Sequence, residues 1–316
     1  MKKMALLYKK LKYGLSILKS ELSGKSDYWH LREQAVDKDL LSPEIYYLDM
    51  KGKGVYPGEM DNGIPVFYLN GVYRGFFPIT VLNYGLGLLN RLHDGENVQH
   101  ELQQVLDFIL KKQDQDGAWR YDIPQEVTHE MAGGKVSGMT QGLALSFLVR
   151  CQRIGLLSKE ECLSVIQPAK NLMLSSLCVN QINGEPFIEE FSVPGGTSVL
   201  NGSMFALLGL YDYEVFTGES GNFARFENAL RKLLPCFSFG RWSYYDRKGS
   251  ICSRFYQQLH VDLLHVFYQL TGNPEYRKYE KRWEKGLKYA FFFILLKSVQ
   301  KIFQIQKWTM NADRKD

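Results

Sequence analysis

The chain has few cysteines among its 316 residues and no long uninterrupted apolar segment. Its five cysteines are scattered and include no CxxC pair, which argues against a disulfide framework and a cysteine zinc site. The apolar run in KYAFFFILLKSVQKIFQIQKW is far shorter than the roughly 20 residues that a membrane span needs. We therefore expect a cytoplasmic protein whose last segment is a packed helix.

Metal and cofactor motifs are also missing. His260 and His265 are five residues apart, whereas neighbours on one helix face are three or four apart, so a shared metal is not expected. No phosphate-binding glycine loop, dinucleotide fingerprint or Ser-His-Asp arrangement stands out. A compact basic stripe and the known nucleic-acid-binding motifs are absent as well. The sequence predicts no metal, no cofactor and no nucleic-acid partner.

The first 22 residues, MKKMALLYKKLKYGLSILKSEL, are basic and lack the cleavage site of a secretory signal. Their leucines recur at helical spacing between lysines, which predicts an amphipathic helix. Such a helix either docks on its own domain, which is the favoured interpretation, or lies on a membrane surface. Peripheral association at the inner membrane face therefore stays open, as does a homodimer.

Four regions follow from the pattern. They are a basic helix and linker (1–43), a short β-hairpin segment (44–77), a helical domain (78–295) and a C-terminal helix with a tail (296–316). Glycine-containing turns near positions 95, 155, 218–221 and 272 each join an apolar segment to a more amphipathic one. Ser158 and Glu161 form a capping box, and Asn273 precedes a proline, so helices are expected to begin near 159 and 274. The chain is thus predicted to be mainly α, with about four helical hairpins in an (α/α) toroid or, alternatively, an open solenoid.

Three long, aromatic-rich loops (119–138, 179–198 and 237–254) lead from an outer helix to the next inner one. They are therefore expected to meet at one rim, and loops often carry function. Trp119, Arg241 and Trp242 offer ring faces and a cation, which suit sugars and their carboxylates. With a formal charge of +5, an acidic polysaccharide is the expected partner.

Several stretches carry a family resemblance. They are GFFPITVLNYGLG (75–87), MTQGLALSFLVR (139–150), EEFSVPGGTSVLNGSMFALLGLYD (189–212), SYYD (243–246) and FYQQLHVDLL (255–264) followed by KRW (281–283). In order and approximate spacing the chain resembles the C-terminal catalytic domain of the D-glucuronyl C5-epimerases. This resemblance implies an (α/α) barrel that inverts glucuronate to iduronate in heparosan, the precursor of heparin and heparan sulfate, without an organic cofactor.

The resemblance also implies roles for particular residues. The acidic catalytic residue of the family falls on Glu190, and two active-site tyrosines fall on Tyr245 and Tyr256. The tyrosine that follows the family glutamate is replaced here by Phe191, which cannot exchange a proton. The basic residue that follows the SYYD-like motif in the family aligns best with Lys248.

Arg247 is the neighbour that can assist Lys248 in holding the sugar carboxylate. A family histidine is replaced by Gln257, while the next one is retained as His260 and is expected to contact substrate or to be structural. Gln141 and Asn201 are polar residues on apolar helices, and they either line the cleft or are satisfied buried amides.

The chemistry explains these residue types. The hydrogen on C5 of a uronate is α to a carboxylate, so its removal requires neutralisation of that carboxylate, and inversion requires a proton from the opposite face. We expect Glu190 and Tyr256 to be that opposed pair. A polysaccharide lyase, which expels the group on C4 from the same carbanion, and a non-catalytic saccharide-binding protein are the alternatives.

Overall fold

The computed structural model describes residues 12, 15, 18, 19, 27–40, 42–69, 73–121, 136–193 and 195–312, with the side chains of 69, 73 and 303–312 left out. The fold is mainly helical, as predicted. Its helices from residue 78 onward are α1 (Pro78–His93), α2 (Gln99–Lys112), α3 (Gly138–Arg153), α4 (Lys159–Met173), α5 (Leu200–Thr217), α6 (Asn222–Leu233), α7 (Arg254–Thr271), α8 (Pro274–Leu287) and α9 (Ala290–Ala312).

Buried and amphipathic helices alternate along the chain. Helices α1, α3, α5 and α7 are buried over most of their surface, whereas α2, α4, α6 and α8 bury one side only. In α5 every residue from Leu200 to Leu210 is buried. In α6 the buried side is made by Phe226, Ala229, Leu230 and Leu233. The predicted alternation of buried and amphipathic helices is confirmed, and we call α1, α3, α5 and α7 the inner helices.

The inner helices run parallel to one another. α1 contacts α3, α3 contacts α5, and α5 contacts α7. Gly142 of α3 lies against Gly209 of α5 so closely that a Cβ on Gly209 would lie 2.0 Å from the Gly142 carbonyl oxygen. Further along both helices, Arg150 forms an ion pair of 2.6 Å with Asp212. The N-terminal ends of the inner helices therefore lie at the same end of the molecule.

The predicted caps and turns are present. Ser158 and Glu161 form both hydrogen bonds of the capping box, and α4 begins at Lys159. Asn273 accepts a hydrogen bond from the Glu275 amide, and α8 begins at Pro274. Gly218 and Gly272 end α5 and α7 in the left-handed conformation. The hairpin boundaries in this part of the chain could thus be predicted from local signals.

The described residues also contain antiparallel β-hairpins. They pair β1 (Met60–Asp61) with β2 (Ile64–Pro65), β3 (Phe67–Leu69) with β4 (Tyr73–Gly75), β5 (Val179–Ile182) with β6 (Glu185–Ile188), and β7 (Ser238–Phe239) with β8 (Trp242–Ser243). The first two lie in the segment predicted to form hairpins. The other two were not predicted, although Asn183-Gly184 is a strong signal for a two-residue turn and both residues have positive φ.

An N-terminal segment, residues 27–56, contacts the first and the last inner helix. Gly54 packs against Gly87 of α1, and Arg32 lies 3.8 Å from Asp262 of α7. A buried ion pair of 3.2 Å between Lys53 and Glu33 links the two ends of this segment. We predicted no such role for this linker. The predicted helix over the first 22 residues falls largely outside the described residues, which include only helical positions 12, 15, 18 and 19.

Helix α9 packs along one side only. Phe293 stacks on Trp242 with ring centroids 4.6 Å apart, and Ile294 and Ser298 are buried. Phe291 and Phe292, on the other side, are exposed. The prediction of a packed C-terminal helix is therefore correct for one face and wrong for the other. Within the described residues, each helix is too short or too polar to cross a bilayer.

Candidate active site

Glu190 lies just beyond β6, and its side chain is only 8% exposed. The backbone next to Glu190 lies against the start of α3, because the Gly138 amide donates a hydrogen bond to the Glu189 carbonyl at 3.1 Å. Gly202, in the first turn of α5, leaves space for the side chain, since a Cβ there would lie 2.6 Å from the Glu190 Cβ. The Oε2 atom of Glu190 has no hydrogen-bond partner among the described residues. A buried carboxylate thus faces the interior with an unpaired oxygen.

Glu189 has the opposite environment. Its carboxylate accepts hydrogen bonds from the Thr197 amide at 3.0 Å, from the Ser198 amide at 2.6 Å and from the Ser198 hydroxyl at 2.9 Å. The Asn180 side chain donates a further one at 3.3 Å. These bonds hold Ser198 in the left-handed region, with φ of 51°. Glu189 therefore fixes the turn that leads into α5.

Two phenols lie close to Glu190. The rings of Tyr245 and Tyr256 have centroids 4.7 Å apart, and both lie close enough to Glu190 for its charge, after burial, to raise their pKa. The carbonyl of Tyr245 accepts from the Leu200 amide at 3.1 Å, which links it to the start of α5. Tyr256 lies in the first turn of α7, where its amide donates to Ser253. Three elements therefore bring the carboxylate and the phenols together.

Burial dominates the proton affinities at this site. Burial and, as a smaller cause, the neighbouring Glu189 charge together raise the pKa of Glu190 to about 7. Burial also raises the pKa of Tyr245 and of Tyr256, with the Glu190 charge as the next cause for both. At neutral pH the phenols are therefore protonated, while both the protonated and the ionised form of Glu190 are populated.

Buried polar side chains occupy the first turns of the inner helices. Gln141 in α3 has neither amide atom paired within the described chain, and the same is true of Asn201 Oδ1 in α5. Thr80 Oγ1 and Asn83 Oδ1 in α1 are also unpaired there. Because helix N-termini carry partial positive charge, this end of the bundle suits an anion. The sequence analysis missed Thr80 and Asn83, although a polar residue early in an apolar helix is a readable signal.

Phe191, which replaces the family tyrosine, is half-buried against Tyr121 with ring centroids 5.4 Å apart. Tyr121 is fully buried, and its hydroxyl is hydrogen-bonded to Thr140. Burial raises its pKa, and the Glu190 charge contributes. A phenol thus lies beside Phe191, but the sequence analysis gave it no role of its own.

The predicted cations lie away from Glu190. Arg247 and Lys248 are exposed, and Arg247 donates to the Asn183 side chain at 3.1 Å. The Arg241 guanidinium lies over the ring of Tyr289, 5.9 Å from its centroid. Burial and the Glu189 charge are the causes of the raised Glu190 pKa. Within the described part of the chain, Arg247 and Arg241 contact Asn183 and Tyr289 rather than this carboxylate.

Two expected substrate contacts, Trp119 and Trp242, belong to the core, and His260 has the structural one of its two predicted roles. Trp119 and Trp242 are at most 1% exposed and donate to the carbonyls of Ile109 and Cys252, so neither ring can stack on a sugar. His260 is fully buried, and its Nδ1 lies 2.8 Å from the Ser243 hydroxyl. Burial lowers the pKa of His260 to about 3, so the ring is neutral. Aromatic composition alone does not distinguish a rim from a core.

Comparison with known proteins identifies the family. The family model described as the D-glucuronyl C5-epimerase C-terminus matches residues 113–285, which is more than half of the chain. The chain belongs to the D-glucuronyl C5-epimerase C-terminus family. The matched residues of this epimerase family member include Glu190, Tyr245 and Tyr256.

Two curated relatives match this chain over only part of their length. A D-glucuronyl C5-epimerase of Caenorhabditis elegans is 24% identical over 217 residues, which cover 60% of this chain and 35% of that protein. An uncharacterized protein of Methanocaldococcus jannaschii is 32% identical over 99 residues, covering 30% of this chain and 32% of that protein. This member of the epimerase family thus spans about a third of the length of the curated relatives it matches.

Proposed function

We propose that this protein is an isomerase that inverts C5 of glucuronosyl residues within a polysaccharide. The observation that carries the proposal is the buried Glu190 carboxylate, with an unpaired oxygen, whose charge acts on the packed phenol rings of Tyr245 and Tyr256. Membership of the epimerase family supports the same conclusion.

In the proposed reaction, ionised Glu190 removes the C5 proton, and the electron pair of the broken C–H bond moves into the adjacent carboxylate group. Tyr256 then donates its phenolic proton to the opposite face of C5, which forms the new C–H bond with inverted configuration. Proton exchange with water resets both side chains. The raised pKa of Tyr256 keeps it in the donor form at neutral pH, and the pKa of Glu190 near 7 leaves a base available.

The charge that develops on the sugar carboxylate needs stabilisation. We propose that the Gln141 side-chain amide provides it, together with the N-terminal ends of the inner helices. The unpaired Gln141 Nε2 supports this role, because it is a donor and burying an amide without a partner costs about 1–3 kcal/mol. The unpaired atoms of Asn201 and Asn83 are acceptor oxygens, and we propose that they receive sugar hydroxyls instead. Arg247 and Lys248 are proposed to contact the polymer outside the reacting ring, since both are exposed.

Phe191 replaces the family tyrosine, so this position has no phenolic hydroxyl. We propose that the Phe191 ring supports one side of the sugar ring and takes no part in proton transfer. Its contact with Tyr121 fixes the phenyl ring from behind.

The predicted (α/α) toroid is also part of this proposal. Residues 27–56 would fill the space between α7 and α1, and the saccharide would enter at the N-terminal ends of the inner helices.

The test is incubation of the purified protein with heparosan in deuterated water, followed by NMR of the polymer. Deuterium at C5 together with iduronate signals, without chain cleavage, is the expected result. New unsaturated ends would identify a lyase instead. Saturable binding without exchange would identify a non-catalytic saccharide-binding protein.

A further inference from the structure

Helix α9 carries an exposed row of apolar side chains. Phe291, Phe292, Leu295 and Val299 are all exposed, and the two phenylalanines are 60% and 56% accessible. At about 100° per residue these four side chains fall within an arc of about 100°. We call them the α9 apolar face. Soluble monomers rarely expose such a row without a partner, so the face needs an occupant.

Basic side chains precede this face along the chain. Lys281, Arg282 and Lys285 are exposed on α8, Lys288 is exposed in the connection to α9, and Glu284 is the one acidic residue between 281 and 288. The Arg241 guanidinium joins them by lying over Tyr289. We call these five cations the basic border. The occupant must therefore be apolar where it meets the phenylalanines and anionic where it meets the lysines.

We propose that the α9 apolar face docks flat on an anionic lipid bilayer, with the basic border against the lipid headgroups. Apolar side chains at the headgroup boundary flanked by lysine and arginine are the features of an interfacial helix. A soluble polysaccharide would satisfy the cations but would leave the phenylalanines exposed. A second copy paired through this face would cover the phenylalanines but would leave the basic border without an anionic partner from the same face.

Docking in this orientation would leave only α9 between the lipid surface and the loop that carries Tyr245. The side chain of Gln300 in α9 donates to the Gly249 carbonyl at 2.6 Å and accepts from the Ile251 amide at 2.9 Å. Residues 249–251 follow Tyr245 in the same loop, and the Tyr245 amide donates to the Ser250 carbonyl. The docking proposal itself does not depend on the proposed reaction.

The experiment is co-sedimentation of the full-length protein with vesicles of phosphatidylcholine alone or mixed with phosphatidylglycerol. Binding to the anionic vesicles that weakens as salt rises is expected. The variant Phe291→Ser/Phe292→Ser/Leu295→Ser should lower the partition coefficient by at least about tenfold. The control Leu177→Ser/Val215→Ser removes exposed apolar side chains elsewhere and should bind like the parent. Circular dichroism checks that each variant is folded.

Equal binding by the α9 serine variant and the parent would overturn the proposal and would point to another segment, such as residues 1–22. Failure of the parent to bind either vesicle would also overturn it. A lipid-free parent that sediments as a dimer, with a serine variant that sediments as a monomer, would show that a second copy occupies the face. Loss of binding in Lys281→Gln/Lys285→Gln/Lys288→Gln is expected if the basic border takes part.

Discussion

At positions 189 and 190, two identical and adjacent side chains have opposite environments. The Glu189 carboxylate accepts hydrogen bonds from the turn at 197–198, whereas Glu190 Oε2 is buried and unpaired. Both residues lie beyond the last strand residue, Ile188, so these contacts rather than strand alternation distinguish them. One acid therefore supports the turn into α5, and the other is the base of the proposed reaction.

The stability of the protein should depend on pH through Glu190. Its folded-state pKa of about 7 lies above the ordinary value, so the folded state binds the proton more tightly than the unfolded state. Stability from this group is complete below about pH 4 and is lost as pH rises through 7. Glu190→Gln abolishes this titration. From pH 4 to pH 8 the parent should lose up to about 3 kcal/mol relative to Glu190→Gln in urea unfolding. An equal difference at the two pH values would contradict the raised pKa.

Removal of the neighbouring acid should have a structural effect instead. Glu189→Ala leaves the amides of Thr197 and Ser198 without their acceptor and should cost about 1–3 kcal/mol in unfolding free energy. Glu189→Gln, which retains one acceptor oxygen, should cost less. Equal stability of the alanine variant and the parent would show that the turn does not depend on this carboxylate.

Positions and environments differ in how well they could be predicted. Family motifs predicted Glu190, Tyr245 and Tyr256 by position, and in the structure the two phenol rings pack together where the Glu190 charge acts on both. The burial of Trp119 and Trp242 could not be predicted, because the same aromatic residue types occur in loops and in cores. Whether Arg247 faces a cleft depends on the hairpin turn that carries it, and the sequence does not specify that direction.

At the level of helices, the close contact between α3 and α5 depends on paired glycines. A methyl group on Gly209 would overlap the Gly142 backbone. Gly209→Ala should therefore separate the two helices and lower the unfolding free energy by about 2 kcal/mol or more, despite the better helix propensity of alanine. Val215→Ala on the same helix changes an exposed side chain and should shift stability by less than about 0.5 kcal/mol. Thermal unfolding of the pair of variants measures the difference, and similar melting temperatures would contradict close packing.

Helix boundaries were the most predictable elements, because caps are local. The capping box at Ser158 and the cap at Asn273 each fix a helix start within a few residues of sequence. The hairpins β5–β6 and β7–β8 were missed because their strands are only two to four residues long and have little periodicity.

For the molecule as a whole, residues 27–56 connect parts that are distant in sequence. Periodicity could not predict this, because the segment has little regular structure and its contacts are long-range. Lys53 is buried, pairs with Glu33 and donates to the Tyr28 and Trp29 carbonyls. The Trp29 ring in turn contacts Phe77, and His30 lies against Phe255 and Tyr256. The ion pair thus supports the segment that contacts the candidate active site.

Loss of this lysine should destabilise the whole fold. Lys53→Met leaves a buried carboxylate without its partner and should cost about 3–5 kcal/mol. The matched control is Lys51→Met, because Lys51 forms an exposed ion pair of 2.9 Å with Asp94 and should contribute less than about 1 kcal/mol. Urea unfolding followed by tryptophan fluorescence compares the two variants. Equal effects would show that the segment is not anchored by Lys53.

The central claim is that Glu190 moves the C5 proton, and hydrogen exchange tests it most directly. Deuterium incorporation at C5 of heparosan should be catalysed by the parent and should fall by about a hundredfold or more in Glu190→Gln, while circular dichroism shows a folded variant. Tyr256→Phe is expected to lose inversion as well. Undiminished exchange in folded Glu190→Gln would contradict the account.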